Sequence, residues 1–439
     1  MTSLRIEPAA KPLHGSVPVP TDKSIAQRAI LLASIANGKS RLHNVRPCGD
    51  VTSAINAIRA LGVVVNHEGK DLVVEGVGLF GLRAPRESID CGNSATLMRL
   101  LMGLLAGQEF ASSLKGDTSL SRRSMKRAAE MLSLRGGEFA LTDDCAPVHI
   151  KGAPERELGA LEFASPVASG QLKSAALFSG LYAHGTTTYT EPHISRDHTE
   201  RMLQELGIPV RALGPHLVLD PSGWSGQLPA FDVEIPGDGS SAAFLLVAAQ
   251  LVEGSHVTVR NVGTNPTRTG WMDALSAAGL LMDRDPRGVS MGEPFADLTM
   301  RGGVLHGLHV AGELGVRCID EIPILAAAAA CAEGESLFRD LGELRKKESD
   351  RISAIQDVLS AFGAKVEVES DSLRVVGKQS LRGAKVDSKG DHRIAMMASV
   401  LALRASGTSV IENVDPITTS FPSFVASLRA LGATISLAG

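Results

Sequence analysis

One phrase recurs six times along this chain and limits how it can fold. A helix-like stretch ends in a Leu-Gly-type pair and an extended segment follows: "IRALGVVV", "LSLRGGEFAL", "LQELGIPVRAL", "LSAAGLLM", "LSAFGAKVEV" and "LRALGATISL". The glycines are Gly62, Gly136, Gly207, Gly279, Gly363 and Gly432, spaced by 74, 71, 72, 84 and 69 residues. Glycine just past a helix end relieves the left-handed cap, so each phrase reads as a helix stop before a strand. A second phrase interleaves with the first: an apolar helix, a glycine or small residue, then a Ser/Thr-containing strand, as in "NGKSRLHNV", "AGQEFASSL", "HGTTTYT", "EGSHVTV", "EGESLFRDL" and "SGTSVIENV". A period of roughly 70 residues exceeds that of common solenoids, so each unit is a small α/β subdomain of two helices and several strands. Three units per domain predict two similar domains. The crossover falls near "EIPGDGSSAAF", residues 234–244, where a Pro-Gly turn precedes a new apolar helix.

Length agrees, since 439 residues exceed one ordinary core. Net charge is −4 and the pI about 6.3, which argues against a dedicated nucleic-acid binder. Any basic cluster is therefore local. The five cysteines (Cys48, Cys91, Cys145, Cys318 and Cys331) are scattered and include no C-x-x-C pair. Such a set fits buried thiols in a reducing cytoplasm. "MTSLRIEPAAKPLHG" holds no secretory apolar region, and the apolar run at 322–332 is too short for a bilayer. A cytoplasmic protein without a membrane partner is expected.

Two familiar motifs fail on inspection. "ANGKS" imitates the end of a phosphate-binding P-loop, but Ala33 stands where the first glycine belongs and the helix comes first. "HGLH" and "HISRDH" lack the further ligands of a zinc site. Seven segments instead share one grammar, a short polar loop and then an amphipathic helix: 20–33, 91–103, 116–132, 165–181, 318–329, 345–356 and 390–403. Helix N-termini carry unpaired N–H groups and partial positive charge, which suit phosphates and carboxylates. Lys23, Arg28, Arg123, Lys347, Arg351 and Arg393 lie in or beside such turns, where cations are normally disfavoured. Their recurrence points to a shared concave site for a strongly anionic ligand. Asp320 and Glu348 stand among them as candidate acid/base groups.

The phrases "DKSIAQRA", "GNSATLMRL", "GDTSLSRRSM", "SGQLKSA", "IDEIP", "KESDRI" and "DHRIAM" run in order over nearly the whole chain and resemble the 5-enolpyruvylshikimate-3-phosphate (EPSP) synthase family. The resemblance implies a two-domain inside-out α/β barrel of six repeats, three per domain. One domain would comprise residues 1–20 and 237–439 and the other 21–236, with the active site in the cleft. It also implies transfer of the enolpyruvyl group of phosphoenolpyruvate to the 5-hydroxyl of shikimate 3-phosphate, with no metal or organic cofactor. By resemblance, Lys23 bridges both substrates. Ser24, Arg28, Ser169, Gln171, Arg196 and Lys347 bind shikimate 3-phosphate, and Asp320 is the base for its hydroxyl. Asn93, Ala95, Thr96, Arg123, Gln171, Arg351, His392 and Arg393 face phosphoenolpyruvate, and Glu348 moves the proton at its C3. Partners are these two small molecules, and a monomer is expected.

Departures from the family pattern fall at Thr21, Ala26, Gln27, Ser124 and Ser420. Gly170 stands where some members have a second phosphate-binding serine, and Ala95 where glycine is common. Members with alanine at that point are associated with insensitivity to glyphosate. The sister enzymes acting on UDP-N-acetylglucosamine usually carry a loop cysteine that "KGDTSLSRRSM" lacks. A relative using another ring acceptor, and a non-enzymatic anion- or RNA-end-binding repeat protein, are the other readings. The net acidity and the ordered motif set weigh against the last.

Overall fold

All six repeat glycines lie in the left-handed region, with φ between +74° and +106°. Each follows a helix: Gly49–Ala60, Lys126–Ser133, His198–Glu205, Gly270–Ala277, Arg351–Ala361 and Phe424–Ala430. An L-residue there would force Cβ against the following carbonyl, so glycine is what lets the chain turn into the next strand. The computed structural model describes residues 2–46, 48–153 and 158–438.

A second helix opens each repeat: Lys23–Ser34, Ala95–Ala106, Gly170–Gly180, Gly239–Leu251, Ile322–Cys331 and His392–Ala402. These six are buried almost all round, and Gly239–Leu251 is buried at every position. A helix without a polar face belongs inside a core.

The described residues form six four-stranded sheets with one shared pattern. An edge strand runs parallel to its neighbour, and two antiparallel strands follow. In one sheet Ile89–Asp90 pairs in parallel with Ser112–Lys115, which pairs antiparallel with Cys145–Ile150, and that with Phe139–Thr142. Three sheets recruit strands from far along the chain; in one of them His14–Pro18 pairs in parallel with His256–Gly263. Ser3–Ile6 lies between Ser409–Glu412 and Ile435–Ala438. Asp232–Glu234 pairs in parallel with Asn37–His43.

The chain divides into two compact units. The inserted unit holds Thr21–Ile235 and Val289–Glu293, and the terminal unit holds the rest. Each has its own apolar core around three of the buried helices. In the terminal unit those three helices touch one another, helped by the small side chains of "IPILAAAAAC". In the inserted unit Ala95–Ala106 crosses Gly170–Gly180 so closely that a Cβ at Gly103 would sit 2.3 Å from the Ala175 carbonyl oxygen. That approach sets the two helices' first turns side by side. Val289–Glu293, from the stretch expected to lie wholly with residues 237–439, groups with the inserted unit. It is the tip of the hairpin formed by Met282–Ser290 and Glu293–Arg301. Among the described residues, no helix is long and apolar enough to cross a membrane.

Candidate active site

In the inserted unit, three helix N-termini carry the expected residues. Asp22 caps the first: its Oδ1 accepts from Ser24 N at 2.8 Å and Ile25 N at 3.1 Å. Ser94 caps the second, accepting from Leu97 N at 3.1 Å, and its hydroxyl donates to Gln27 Oε1 at 2.9 Å. Gln27, a departure from the family pattern, thus ties two of these termini together. Ser169 caps the third, accepting from Leu172 N. Across the close helix pair, Gln171 Nε2 donates to Thr96 Oγ1 at 3.0 Å, and Arg99 donates to Gln171 Oε1. Arg99 also donates to the Ser124 carbonyl at 2.8 Å, and Asn93 Nδ2 to Asp117 Oδ2 at 2.7 Å. Ala95, first in its helix, is only 3% exposed. Arg123 ends the 3-10 turn Leu120–Arg122, its N–H bonded to Leu120 O.

Lys23 pairs with Asp50 at 2.8 Å. Arg28 is buried, and among the described residues its hydrogen bonds go to neutral groups: Thr199 Oγ1 at 2.8 Å, Ser24 O at 2.8 Å, Ser174 Oγ at 2.8 Å and Gly170 O at 3.3 Å. Burial brings this guanidinium down to about 10, opposed by the more distant charge of Glu200 and, more weakly, of Asp22 and Glu293. A buried cation whose fixed partners are uncharged suits an anionic ligand.

Behind these residues lies a buried charge cluster. Lys173 Nζ sits 2.8 Å from Glu191 and 2.7 Å from Glu200. Burial alone would lower the lysine, but the two glutamates hold it above the usual lysine value. Glu200 is pushed up by burial despite Lys173. Glu191 also accepts from Ser169 N at 3.2 Å, Ser195 N at 2.8 Å and Ser195 Oγ at 2.7 Å. One carboxylate therefore fixes both Ser169 and the residue before Arg196. Arg196 passes so near Gly170 that a Cβ there would lie 2.9 Å from the Arg196 carbonyl oxygen.

In the terminal unit, Asp320, Lys347, Glu348, Arg351 and Arg393 converge. Arg351 is 1% exposed and faces three carboxylates: Asp391 at 2.9 Å, Glu348 at 2.6 Å and Asp320 at 3.4 Å. Burial opposes its charge, but Asp391, Glu348 and Asp320 outweigh that and hold it protonated. Lys347 Nζ lies 3.2 Å from Asp320, and Arg393 donates to the Asp320 carbonyl at 2.8 Å. Asp391, fully buried, caps the helix that opens with His392 and Arg393 and accepts from Arg393 N at 2.9 Å. Burial would raise its carboxyl, but Arg351 holds it below the usual aspartate range. Among the described residues, no group of three or more His, Cys, Asp or Glu is placed to hold a metal ion.

The family model for EPSP synthase (3-phosphoshikimate 1-carboxyvinyltransferase) matches residues 8–428. The chain belongs to the EPSP synthase family. It is a transferase of the shikimate pathway of aromatic amino-acid biosynthesis. A relative from Geobacter sulfurreducens named 3-phosphoshikimate 1-carboxyvinyltransferase is 45% identical over 98% of this chain and 99% of its own length. One of the same name from Bacillus cereus is 40% identical over 98% and 100%. The solved EPSP synthase of Acinetobacter baumannii superposes with a TM-score of 0.89 at 37% identity, covering all of both chains. These matches bear out the resemblance and the two-domain α/β fold.

Sequence reading passed over several residues that hold this arrangement: Asp50, Arg99, Lys173, Glu191, Glu200 and Asp391. Asp391 was findable, since an aspartate directly before a cation-bearing helix is an N-cap signal. Glu191 and Glu200 were not, because only the fold shows that both meet Lys173.

Proposed function

We propose that this chain transfers the enolpyruvyl group of phosphoenolpyruvate to the 5-hydroxyl of shikimate 3-phosphate and releases phosphate. The observation that carries this reading is the Asp320–Glu348–Arg351 constellation. Two carboxylates share one buried guanidinium, with Lys347 and Arg393 beside them. Such a group offers acid/base function and anion binding together.

In this reading Asp320 takes the proton of the 5-hydroxyl as its oxygen bonds to C2 of phosphoenolpyruvate. Glu348 delivers a proton to C3, giving a tetrahedral adduct. Loss of a proton from C3 and departure of phosphate from C2 restore the double bond. Lys23 contacts both substrates. Ser24, Arg28, Ser169, Gln171, Arg196 and Lys347 hold shikimate 3-phosphate. Asn93, Ala95, Thr96, Arg123, Gln171, Arg351, His392 and Arg393 face phosphoenolpyruvate. Asp391 keeps the Arg351 guanidinium oriented. Two multiply charged anions repel each other, and these cations offset that repulsion. The buried Cβ of Ala95 supports tolerance of glyphosate, a ligand slightly longer than phosphoenolpyruvate. The protein acts in the cytoplasm, which its free thiols suit.

Incubation with shikimate 3-phosphate and phosphoenolpyruvate, with release of phosphate followed over time, tests the assignment. Stoichiometric release with both substrates supports it. No release here, together with release on a different ring acceptor or UDP-N-acetylglucosamine, overturns it.

A further inference from the structure

The hairpin tip Val289–Glu293 makes three polar attachments within the inserted unit. Ser290 Oγ accepts from Glu234 N at 2.8 Å, Arg201 donates to the Gly292 carbonyl at 2.9 Å, and Glu293 Oε1 lies 2.7 Å from His198 Nδ1. The turn is tight, with Met291 and Gly292 at φ +49° and +73°, and Met291 packs on the unit's apolar core. His198 is 0% and Glu293 1% exposed, and His198 Nε2 has no hydrogen-bond partner. Among the described residues, Glu293 is therefore the ring's one side-chain anchor.

His198 opens the helix His198–Glu205, whose first three residues each do something different. His198 meets Glu293. Thr199 accepts from Arg28 and shares a 2.7 Å hydrogen bond with Ser174. Glu200 meets Lys173. Arg201, one turn on from His198, grips the tip a second time. Arg196 lies two residues before the helix, in the same segment. The tip thus clamps the piece of chain that presents Arg196 and supplies Arg28 with Thr199.

We propose that Glu293 is a positioning residue for binding shikimate 3-phosphate: by fixing the His198 ring, it sets the 195–199 segment and so aims Arg28 and Arg196. The inference rests on the substrate assigned above. The effect should fall mainly on one substrate, because the phosphoenolpyruvate-facing side chains Asn93 and Thr96 are held from elsewhere, by Asp117 and Gln171.

The test compares Glu293→Ala, Glu293→Gln and Ser290→Ala with the unaltered protein. Calorimetry reads binding of shikimate 3-phosphate alone, steady-state assays read both KM values and kcat, and melting controls for folding. Loss of the buried anchor in Glu293→Ala should weaken shikimate 3-phosphate, in Kd and KM, about tenfold or more. KM for phosphoenolpyruvate should stay within about twofold of the unaltered value, since its contacts are not tied to the tip. Glu293→Gln keeps an oxygen that accepts from Nδ1–H and should restore most of the affinity. Ser290→Ala loosens the same tip without touching His198 and should lower stability only. If Glu293→Ala is too unstable to assay, Glu293→Asp withdraws the acceptor by one methylene and carries the same expectation. Unchanged affinity in Glu293→Ala, or equal losses in all variants that follow melting temperature, overturns the proposal. Failure of the unaltered protein to turn over the two substrates would instead count against the assigned reaction.

Discussion

Replacing Ala95 by glycine separates two effects that the structure predicts will move in opposite directions. Ala95 opens the helix Ala95–Ala106, is 97% buried, and adjoins Thr96, which is bonded to Gln171. Loss of its methyl costs stability twice. Glycine is up to about 1 kcal/mol worse than alanine in a helix, and less in a first turn. One buried methyl contributes about 0.8 kcal/mol. A sum of about 1–2 kcal/mol in a unit of this size lowers the melting temperature by roughly 2–8 °C. In the proposed reading, the phosphoenolpyruvate pocket meanwhile gains the room of one methyl. Forcing an extra methylene into a packed site costs about 1–3 kcal/mol, so relief of that clash should tighten glyphosate about 5- to 150-fold. The KM for phosphoenolpyruvate, the substrate proposed above, should change by much less. The assay is phosphate release under glyphosate titration for both proteins, with melting curves alongside. Strong inhibition of the unaltered protein, or the same inhibition constant in Ala95→Gly, would refute the steric reasoning.

Asp320→Ala removes the assigned base and should cut kcat by about 10²- to 10⁴-fold, with a far smaller change in shikimate 3-phosphate affinity. A near-normal rate would remove Asp320 from the mechanism. Gly170→Ser supplies the serine some family members have, yet its Cβ would meet the Arg196 backbone at 2.9 Å. It should weaken shikimate 3-phosphate, by about 1–3 kcal/mol of strain, and tighter binding would contradict the close approach. Asp391 titrates lower in the folded protein than in the unfolded chain, so its ion pair with Arg351 stabilises fully above the ordinary aspartate range. That contribution fades as pH falls through the depressed folded value. Urea midpoints taken from neutral to acidic pH should therefore drop, and Asp391→Asn should start lower by about 3–5 kcal/mol and fall less steeply. An equally steep acid loss in the variant would show that other groups govern it.

The repeat was legible because its punctuation is a backbone demand. Gly62, Gly136, Gly207, Gly279, Gly363 and Gly432 stand where φ must be positive, and few other residues tolerate that. The cation-bearing helix starts were legible for a related reason: cations recur in first turns where the helix field disfavours them. Acids make this tolerable, and the sequence shows them beside the cations: Asp22 before Lys23, Asp350 before Arg351 and Asp391 before His392 and Arg393. What stayed hidden depends on meetings across long separations. His198 and Glu293 are 95 residues apart, and neither position suggests the other. The neutral surroundings of Arg28 come from Ser174 and Thr199, whose hydroxyls look like ordinary surface groups until the helices are packed.

The strand Ser3–Ile6 is made about 400 residues before either of its neighbours, Ser409–Glu412 and Ile435–Ala438. At about 5–20 residues per second, the wait for Ile435–Ala438 is on the order of 20–90 s. During that time the inserted unit can collapse on its long stretch Thr21–Ile235, while the Ser3–Ile6 strand has no edge to join. The exposed segment is short and carries Arg5 and Glu7, charges that discourage pairing with stray strands. Synthesis order thus lets the terminal unit be completed after the inserted one. Because Ser3 and Ala438 end as paired neighbours, joining the two ends and reopening the chain at a surface turn should leave the same six sheets.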